Sequence, residues 1–200
     1  ELLDRHRKDD GSYDVIVPGS GGKDSIYVAH VLKNKYGMRP LTATWAPHRY
    51  TEIGRRNLDA WIDAGFDNVL VTPNSRVHRL LTREAFLNLL HPFQPFIIGQ
   101  KQIAVKAALQ HGVKLLVYGE SPAETGSDIS FASTPAMPPE YYAAPRDKQW
   151  DLVLGGKTTE ELLALGLHKN DLLPYVPAAL EDVRAAEIEY HFMGYYTHWR

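Results

Sequence analysis

The chain has 200 residues, with 22 lysines and arginines, 24 aspartates and glutamates, and no cysteine. This length can close one hydrophobic core, and we expect a single domain over residues 1–200. The net charge of −2 gives no electrostatic reason to expect a nucleic-acid partner. The lack of cysteine excludes disulfides, thiolate metal sites and a cysteine nucleophile within these residues.

No apolar run in the sequence approaches the roughly 18 residues that would span a membrane, and the start of the sequence carries no signal-peptide pattern. We therefore expect a cytoplasmic protein that does not enter the membrane. The chain opens at Glu1 without methionine and ends at Arg200 just after an apolar stretch, and we expect that both ends are truncated.

Strands that alternate with helices are predicted over the first 119 residues, because apolar runs indicate strands and apolar residues at helical spacing indicate helices. In chain order the elements are a strand at 13–18, a helix at 25–36, a strand at 41–45, a helix at 52–64, a strand at 69–71, helices at 75–90 and 99–111, and a strand at 115–119. This order predicts an α/β fold, a Rossmann-like parallel sheet with helices on both faces. Such sheets bind ligands beyond the carboxyl ends of their strands.

Two of the predicted helices carry apolar residues that we expect to face the sheet. In the helix at 52–64 these residues are Ile53, Leu58, Trp61 and Ile62. In the helix at 75–90 they are Val77, Leu80, Leu81, Phe86, Leu89 and Leu90.

The regular pattern ends after residue 119. Five prolines and several small residues between 120 and 150 predict a long loop or lid. Short helices are predicted at 158–165 and 181–188. The aromatic segment at 187–200 predicts a strand or a subunit interface. A homodimer is therefore one possible assembly.

A glycine-rich turn joins the first predicted strand to the first predicted helix, with the sequence PGSGGKDS at residues 18–25. Asp24 stands where the P-loop needs Ser or Thr and where the dinucleotide fingerprint needs glycine, so the turn matches neither pattern. Its glycines still let backbone amides approach an anion, and the helix that follows directs its positive end to the same place. Lys23 adds a charge, Ser20 and Ser25 add hydroxyls, and Asp24 can hold Mg²⁺ beside phosphate oxygens. The turn therefore predicts a phosphate site.

Residues 20–25, Ser-Gly-Gly-Lys-Asp-Ser, resemble the pyrophosphate loop of the N-type ATP pyrophosphatases. The resemblance implies an adenine nucleotide alpha hydrolase-like fold that binds ATP and Mg²⁺ and splits ATP into AMP and pyrophosphate. It implies catalytic roles for Lys23 and Asp24. It also implies nucleotide contacts from residues that lie in the loop or at the ends of the second and fourth strands, namely Ser20, Gly21, Gly22, Lys23, Asp24, Ser25, Ala43, Thr44, Trp45 and Gly119.

A narrower resemblance is carried by the segments GSYDVIVPGSGGKDS, HPFQPFIIGQK, YGESPAETG and HFMGYY, which begin at Gly11, His91, Tyr118 and His191. They are similar to the N-acetyl sugar amidotransferases of lipopolysaccharide, surface-polysaccharide and flagellin-sugar pathways, the pseudaminic acid type in particular. The resemblance implies that the acetamido oxygen of an N-acetylated sugar is adenylated and then replaced by ammonia-derived nitrogen. It also implies a separate glutaminase subunit, and we expect no glutaminase activity from a chain without cysteine.

Residues outside the turn supply further candidates. Glu120 and Glu124 follow the fourth strand, where they could contact Mg²⁺ or the sugar, and Glu120 is also a candidate catalytic base. Gln100 and Lys101 are predicted to open a helix and to bind an anionic group of the substrate. Gln94 is a candidate for the wall of the sugar pocket.

Two other functions remain open. One is a tRNA-modifying enzyme with the same loop, which the near-neutral charge and the lack of cysteine pairs disfavour. The other is an adenine-nucleotide-binding module without turnover. Pyrophosphate release separates an enzyme from such a module, because a module releases none.

Overall fold

The structure is a computed structural model that describes residues 1–119 and 134–197. The strands in these residues are β1 (Val15–Pro18), β2 (Pro40–Trp45), β3 (Asn68–Val71), β4 (Leu115–Tyr118), β5 (Ala136–Met137), β6 (Ala143–Ala144), β7 (Val153–Leu154), β8 (Lys157–Thr158), β9 (Ala178–Ala179) and β10 (Glu189–Phe192). The helices are α1 (Leu2–Arg5), α2 (Lys23–His30), α3 (Glu52–Asp63), α4 (Ser75–Leu89), α5 (Gln94–His111), α6 (Thr159–Ala164), α7 (Lys169–Leu172) and α8 (Leu180–Ala185). A π-helical segment, Val31–Lys35, continues α2.

A six-stranded sheet with the order β3-β2-β1-β4-β10-β5 forms the centre of the fold. Its strands are parallel apart from β5, which pairs antiparallel with β10 at one edge. The chain builds β2 and β3 on one side of β1 and then crosses to β4 on the other side. The strand order therefore reverses between β1 and β4, and the predicted α/β class is confirmed in a form compatible with a Rossmann-like fold.

Two hydrophobic clusters cover the two faces of the sheet. Val15 and Val17 of β1 pack with α2 and α3 on one face, whereas Ile16 packs with α4, α5 and α8 on the other. This alternation follows from the two-residue period of a strand. It explains why β1 is apolar along its length, since both of its faces are buried.

Local signals in the sequence set the ends of the long helices. The Thr51 hydroxyl accepts a hydrogen bond from the Gly54 amide at the start of α3, and the Asn74 side chain accepts one from Arg76 at the start of α4. Gly112 ends α5 with a φ of +62°, a left-handed conformation that suits glycine.

The second half of the chain adds small elements around this sheet. β7 and β8 form a hairpin, and β6 pairs with β9. The strand prediction for the aromatic terminal segment is confirmed, because β10 lies beside β4. The predicted helices at 158–165 and 181–188 correspond to α6 and α8.

Three sequence expectations need correction. Residues 134–150 contain β5, β6 and short helical turns rather than an uninterrupted loop, while the remainder of the expected loop, 120–133, lies outside the described residues. Ile53 and Ile62 of α3 are exposed, as are Phe86, Leu89 and Leu90 at the end of α4. The helix expected from residue 99 begins at Gln94, because a proline in the first turn fits a helix.

No helix in the described part of the chain is long and apolar enough to cross a membrane.

Candidate functional site

The glycine-rich turn lies at the carboxyl end of β1, where the strand order of the sheet reverses. The Gly19 amide donates to the Ala43 carbonyl of β2 at 2.9 Å and so extends the ladder by one residue. The chain then leaves the sheet and enters α2 through Gly22, whose φ of −71° and ψ of 164° are those of an extended N-cap. The turn is thereby held directly above the sheet edge.

Successive backbone N–H groups of the turn are left without partners. The amides of residues 20–25 have no hydrogen-bond acceptor among the described residues, and no side chain caps α2. The first N–H groups of a helix always need an external acceptor. Here the glycine turn lengthens that row of donors at the positive end of α2, which is an arrangement that stabilises an anion.

Two glycines of the turn are required by close packing. A β-carbon at Gly19 would lie 2.2 Å from Cβ of Ser25 and 2.6 Å from Cη2 of Trp61. Gly21 has a φ of +83°, and a β-carbon there would lie 2.6 Å from the Asn57 carbonyl oxygen. The turn is therefore clamped between α2 and α3, and its amides are fixed in place before any ligand binds.

Gly22 differs from these two glycines because it faces open space. The nearest atom to a β-carbon built there would be the Ser20 hydroxyl oxygen, at 3.9 Å. Its φ is one that any residue adopts. The protein itself therefore gives no steric reason for a glycine at this position, whereas a ligand seated on the amides would.

The charged side chains of the turn reach solvent. Lys23 Nζ lies 3.4 Å from Asp24 Oδ1, and the Lys23 side chain is 92% exposed. An ion pair this exposed contributes little to stability. The Ser25 hydroxyl donates to the Gly22 carbonyl at 3.1 Å, which leaves its lone pairs free to accept.

Gly119 brings the end of β4 against the same turn. A β-carbon at Gly119 would lie 3.0 Å from Cβ of Asp24 and 3.1 Å from its carbonyl carbon. The structure thus places the predicted residue Gly119 beside the predicted turn, with no room for a side chain between them. The ends of β1 and β4 together form one side of the candidate site.

The end of β2 forms the other side. The amides of Thr42 and Ala46 donate toward β3, so the intervening Trp45 directs its N–H and C=O toward β1. The last residue of β1 in the ladder, Pro18, pairs with Ala43. The Trp45 amide consequently has no acceptor among the described residues. A planar ligand that carries both a donor and an acceptor fits this edge.

The side chains of the β2 end are buried and packed. The Thr44 hydroxyl donates to Asn68 Oδ1 at 3.2 Å. A β-carbon at Gly99 of α5 would lie 2.3 Å from two ring carbons of Trp45, so the glycine lets α5 lie directly on the indole. The strand end is therefore rigid, and it can present only its backbone to a ligand.

A buried histidine lies behind the β2 end. His78 of α4 is fully buried, its Nδ1 lies 2.7 Å from the Tyr175 hydroxyl, and its ring lies 4.0 Å from that of His48. Burial, with a smaller contribution from His48, lowers the pKa of the His78 imidazole from 6.5 to about 4. His78 is therefore neutral at physiological pH.

Because His78 stays neutral in the folded protein, acid should destabilise the protein. As the pH falls from 6.5 to about 4, His78 binds a proton in the unfolded chain but stays neutral in the folded chain. The free energy of unfolding should decrease by up to about 3 kcal/mol across this range. Denaturant unfolding at several pH values measures this decrease. In His78→Gln, the slope of the free energy of unfolding against pH should correspond to about one bound proton fewer. His91→Gln, a surface change, is the control, and an equal slope in both variants would contradict the assignment.

The remaining predicted residues lie away from the turn or outside the described residues. The Gln94 side-chain amide forms two hydrogen bonds with the β7–β8 hairpin. Its nitrogen donates to the Val153 carbonyl and its oxygen accepts from the Gly155 amide, each at 2.9 Å. Gln100 and Lys101 were expected to open a helix, but they lie in the second turn of α5. Lys101 Nζ lies 3.8 Å from the centre of the Tyr141 ring.

Glu120 and Glu124 lie outside the described residues. Among the described residues, no group of three or more histidine, aspartate or glutamate side chains could hold a metal ion. A site of the magnesium–phosphate kind needs fewer, because Mg²⁺ is commonly held by one or two carboxylates together with substrate phosphates. The Asp24 carboxylate, beside the amide row, is compatible with that arrangement.

Two residues that support the turn were missed as site residues. Trp61 was expected only to face the core, and Asn57 was not singled out, yet both contact the turn from α3. Their spacing from the turn carries no local pattern. The signal that could have found them is the pair of glycines at 19 and 21, since a position that accepts only glycine implies a close neighbour.

Comparison with known proteins found no protein-family model that matches the chain and no matching curated protein. Neither comparison assigns the chain to a family. Inference about its function therefore depends on the geometry of the turn and of the sheet edge.

Proposed function

We propose that the chain is an ATP-dependent, AMP-forming amidotransferase of the N-type ATP pyrophosphatase superfamily that acts on an N-acetylated sugar. The observation that carries the proposal is the row of unpaired amides in residues 20–25, at the start of α2 and at the reversal of strand order. A polyphosphate is the ligand that such a row stabilises best. The resemblance of these residues to the pyrophosphate loop supports the choice of ATP.

The nucleotide would span the two sides of the site. Its β- and γ-phosphates would accept hydrogen bonds from the amide row, with Lys23 adding a positive charge. Adenine would lie at the end of β2, where the Trp45 N–H and C=O can meet the acceptor N1 and the donor N6 of the base. Gly22 leaves space for the phosphates, and Gly119 keeps the wall of the site free of side chains.

Asp24 would hold Mg²⁺ against the phosphate oxygens. The ion would supply additional neutralisation of the phosphate charge. Lys23 lies 3.4 Å from Asp24 in the free protein. Since the Lys23 side chain is exposed and Asp24 is partly exposed, Lys23 can turn from Asp24 toward the phosphates at little cost.

The proposed chemistry has two steps. The acetamido oxygen of the sugar attacks the α-phosphorus of ATP, a P–O bond to this oxygen forms, and the bond to pyrophosphate breaks. Ammonia then adds to the imidate carbon, the C–O bond breaks, AMP leaves with that oxygen, and a proton is released as the amidine forms. The protein contributes by fixing donors where charge develops on the departing pyrophosphate.

Ammonia would come from a separate glutaminase subunit or from solution. The chain has no cysteine, so it lacks the usual glutaminase nucleophile. Gln100 and Lys101 remain candidates for the sugar site, because they follow Gly99, which touches Trp45. Gln94 is excluded from this proposal because the hairpin engages both ends of its amide.

The test is an incubation of the purified chain with ATP, Mg²⁺, ammonium and a panel of N-acetylated sugars, including nucleotide-linked and nonulosonic ones. We expect AMP and pyrophosphate in equal amounts. The sugar product should be lighter by the difference between an oxygen atom and an NH group, as read by mass spectrometry. Reactions without ammonium or without sugar are the controls.

Other outcomes identify the alternatives. Binding of ATP without pyrophosphate release would indicate a nucleotide-binding module. Turnover that requires tRNA instead of a sugar would indicate a tRNA-modifying enzyme. Ammonia release from glutamine by the pure chain would contradict the expected need for a partner.

A further inference from the structure

The outer face of α4 is an unusual surface for a soluble domain. We define it as the side chains of α4 and its C-cap that point away from the sheet: Arg76, Arg79, Arg83, Phe86, Leu87 and Leu90. Phe86 and Leu87 are 55% and 57% exposed, Leu90 is 81% exposed, and Phe93 in the turn that follows is 65% exposed. The helical spacing in the sequence predicts that Phe86 and Leu90 face the sheet, whereas in the structure both are exposed to solvent.

The rotation of the helix explains why these residues cannot reach the core. Val77, Leu81 and Ala85 of α4 are buried, and they lie on one side because residues four apart are neighbours on a helix. Phe86 and Leu90 are also four apart, and they lie roughly a quarter of a turn or more from that side. No rearrangement of side chains alone can bury both sets against the same sheet.

The apolar part of the surface is large for a monomer. Phe86, Leu87 and Leu90 of this face, together with the exposed neighbours Leu89, Phe93 and Ile97 outside it, expose on the order of 600 Å² of side chain, since a large apolar side chain carries roughly 150–250 Å² in all. Contiguous apolar patches on monomers rarely exceed a few hundred Å². A standard interface buries about 800 Å² from each partner, so this patch supplies most of what a stable pair needs.

The first half of the same face is cationic. Arg76, Arg79 and Arg83 are exposed. The one acidic residue of α4, Glu84, is buried, and its carboxylate lies 3.7 Å from Arg83 Nη1 and 3.8 Å from Lys157 Nζ. The face thus carries three guanidinium groups followed by three apolar side chains, with no exposed carboxylate between them. A partner must offer surface that arginine can cover or stack on.

We propose that α4 pairs antiparallel with α4 of a second copy of this chain. A two-fold axis between Arg83 and Phe86 sets two of the three arginines against apolar residues of the other copy. Arg83 then faces Phe86, and Arg79 faces Leu90. The surface is self-complementary in this register, as a two-fold interface requires.

Each contact in this register is physically favourable. A guanidinium group stacks on the face of a phenylalanine ring, and the contact strengthens when water is removed. The methylene groups of an arginine cover a leucine while the charged end stays in water. Because Arg79 and Arg83 meet apolar residues rather than each other, the cationic halves are kept apart. This inference uses no residue of the proposed nucleotide site and is independent of the proposed function.

The test measures the molecular mass of the whole chain by light scattering or sedimentation, from micromolar to several hundred micromolar protein. We expect twice the mass of one chain at the upper concentrations. Phe86→Glu and Leu90→Glu should each shift the midpoint of dimerisation at least tenfold upward or abolish the dimer. Leu173→Glu, at a leucine that is 48% exposed outside α4 and α5, is the matched control and should leave the dimer intact. Circular dichroism shows that each variant is folded.

The register has its own test, which the absence of cysteine in the natural sequence makes simple. Chains with Arg83→Cys are mixed with chains that carry Phe86→Cys, and a disulfide between the two kinds should form readily. Mixing Arg83→Cys with Leu173→Cys gives the background. A wild-type chain that stays monomeric at every concentration overturns the proposal. A dimer that survives Phe86→Glu, or cross-linking no higher than the background, overturns it as well.

Discussion

Replacing Lys23 with alanine is expected to slow AMP and pyrophosphate formation by ~10²–10³-fold while leaving the stability of the fold unchanged. A preorganised donor beside developing charge lowers the activation barrier by about 3 kcal/mol. Losing that amount slows the reaction by ~10²–10³-fold. Stability should not change, because the Lys23 side chain is 92% exposed and, within residues 1–119 and 134–197, its one ion-pair partner is Asp24 at 3.4 Å.

Steady-state kinetics and thermal unfolding measure the two quantities on the same preparations. Lys35→Ala is the matched control, since Lys35 is an exposed lysine of the π-helical segment that continues α2. It removes the same charge without touching the amide row. A Lys23→Ala variant that forms AMP and pyrophosphate within threefold of the wild-type rate would remove Lys23 from the proposed site.

Replacing Gly19 with alanine is expected to damage both the fold and the site. The new methyl group would meet Cβ of Ser25 at 2.2 Å and the Trp61 ring at 2.6 Å. Neither α2 nor α3 can retreat without disturbing the core, so we expect a loss of about 3 kcal/mol in the free energy of unfolding. A displaced turn also misplaces the amide row, and a shift of about 1 Å can cost ~100-fold in rate.

Gly22→Ala separates these two effects. Its methyl group would enter open space with the nearest atom at 3.9 Å, so the free energy of unfolding should stay within about 1 kcal/mol of wild type. ATP binding should nevertheless weaken at least tenfold, because the methyl group occupies the space above the amides. Calorimetric titration with a non-hydrolysable ATP analogue measures this. Unchanged affinity in a stable Gly22→Ala protein would place the nucleotide elsewhere.

The sequence predicts the central part of the fold well, because its signals there are local. Both faces of β1 are buried, so the strand reads as a continuous apolar run, and glycines mark the turn after it and the end of α5. The alternation of strands and helices fixes the handedness of the crossovers. The turn at residues 18–25 could be placed at the sheet edge from this information alone.

The parts of the fold and site that the sequence does not predict depend on contacts between residues that are far apart in the sequence. β10 lies beside β4 although 70 residues lie between Tyr118, the last residue of β4, and Glu189, the first residue of β10, and no local pattern encodes that pairing. The apolar spacing of α4 does not reveal that only Val77, Leu81 and Ala85 reach the sheet side. At the site, the contacts of Trp61 and Asn57 with the turn join α3 to residues more than 30 positions earlier.

The position of β10 has a consequence for how the protein is made. Because the ribosome releases the amino end first, β4 emerges with an open edge and stays so until residues 189–192 follow. Such an edge invites pairing with other chains. β10 also holds α1 and the residue that follows it, since Arg5 and His6 lie 3.3 and 3.6 Å from the Glu189 carboxylate. The sheet therefore closes only after residues 189–192 have been made, and shortening the chain before β10 would free both the β4 edge and the amino-terminal segment.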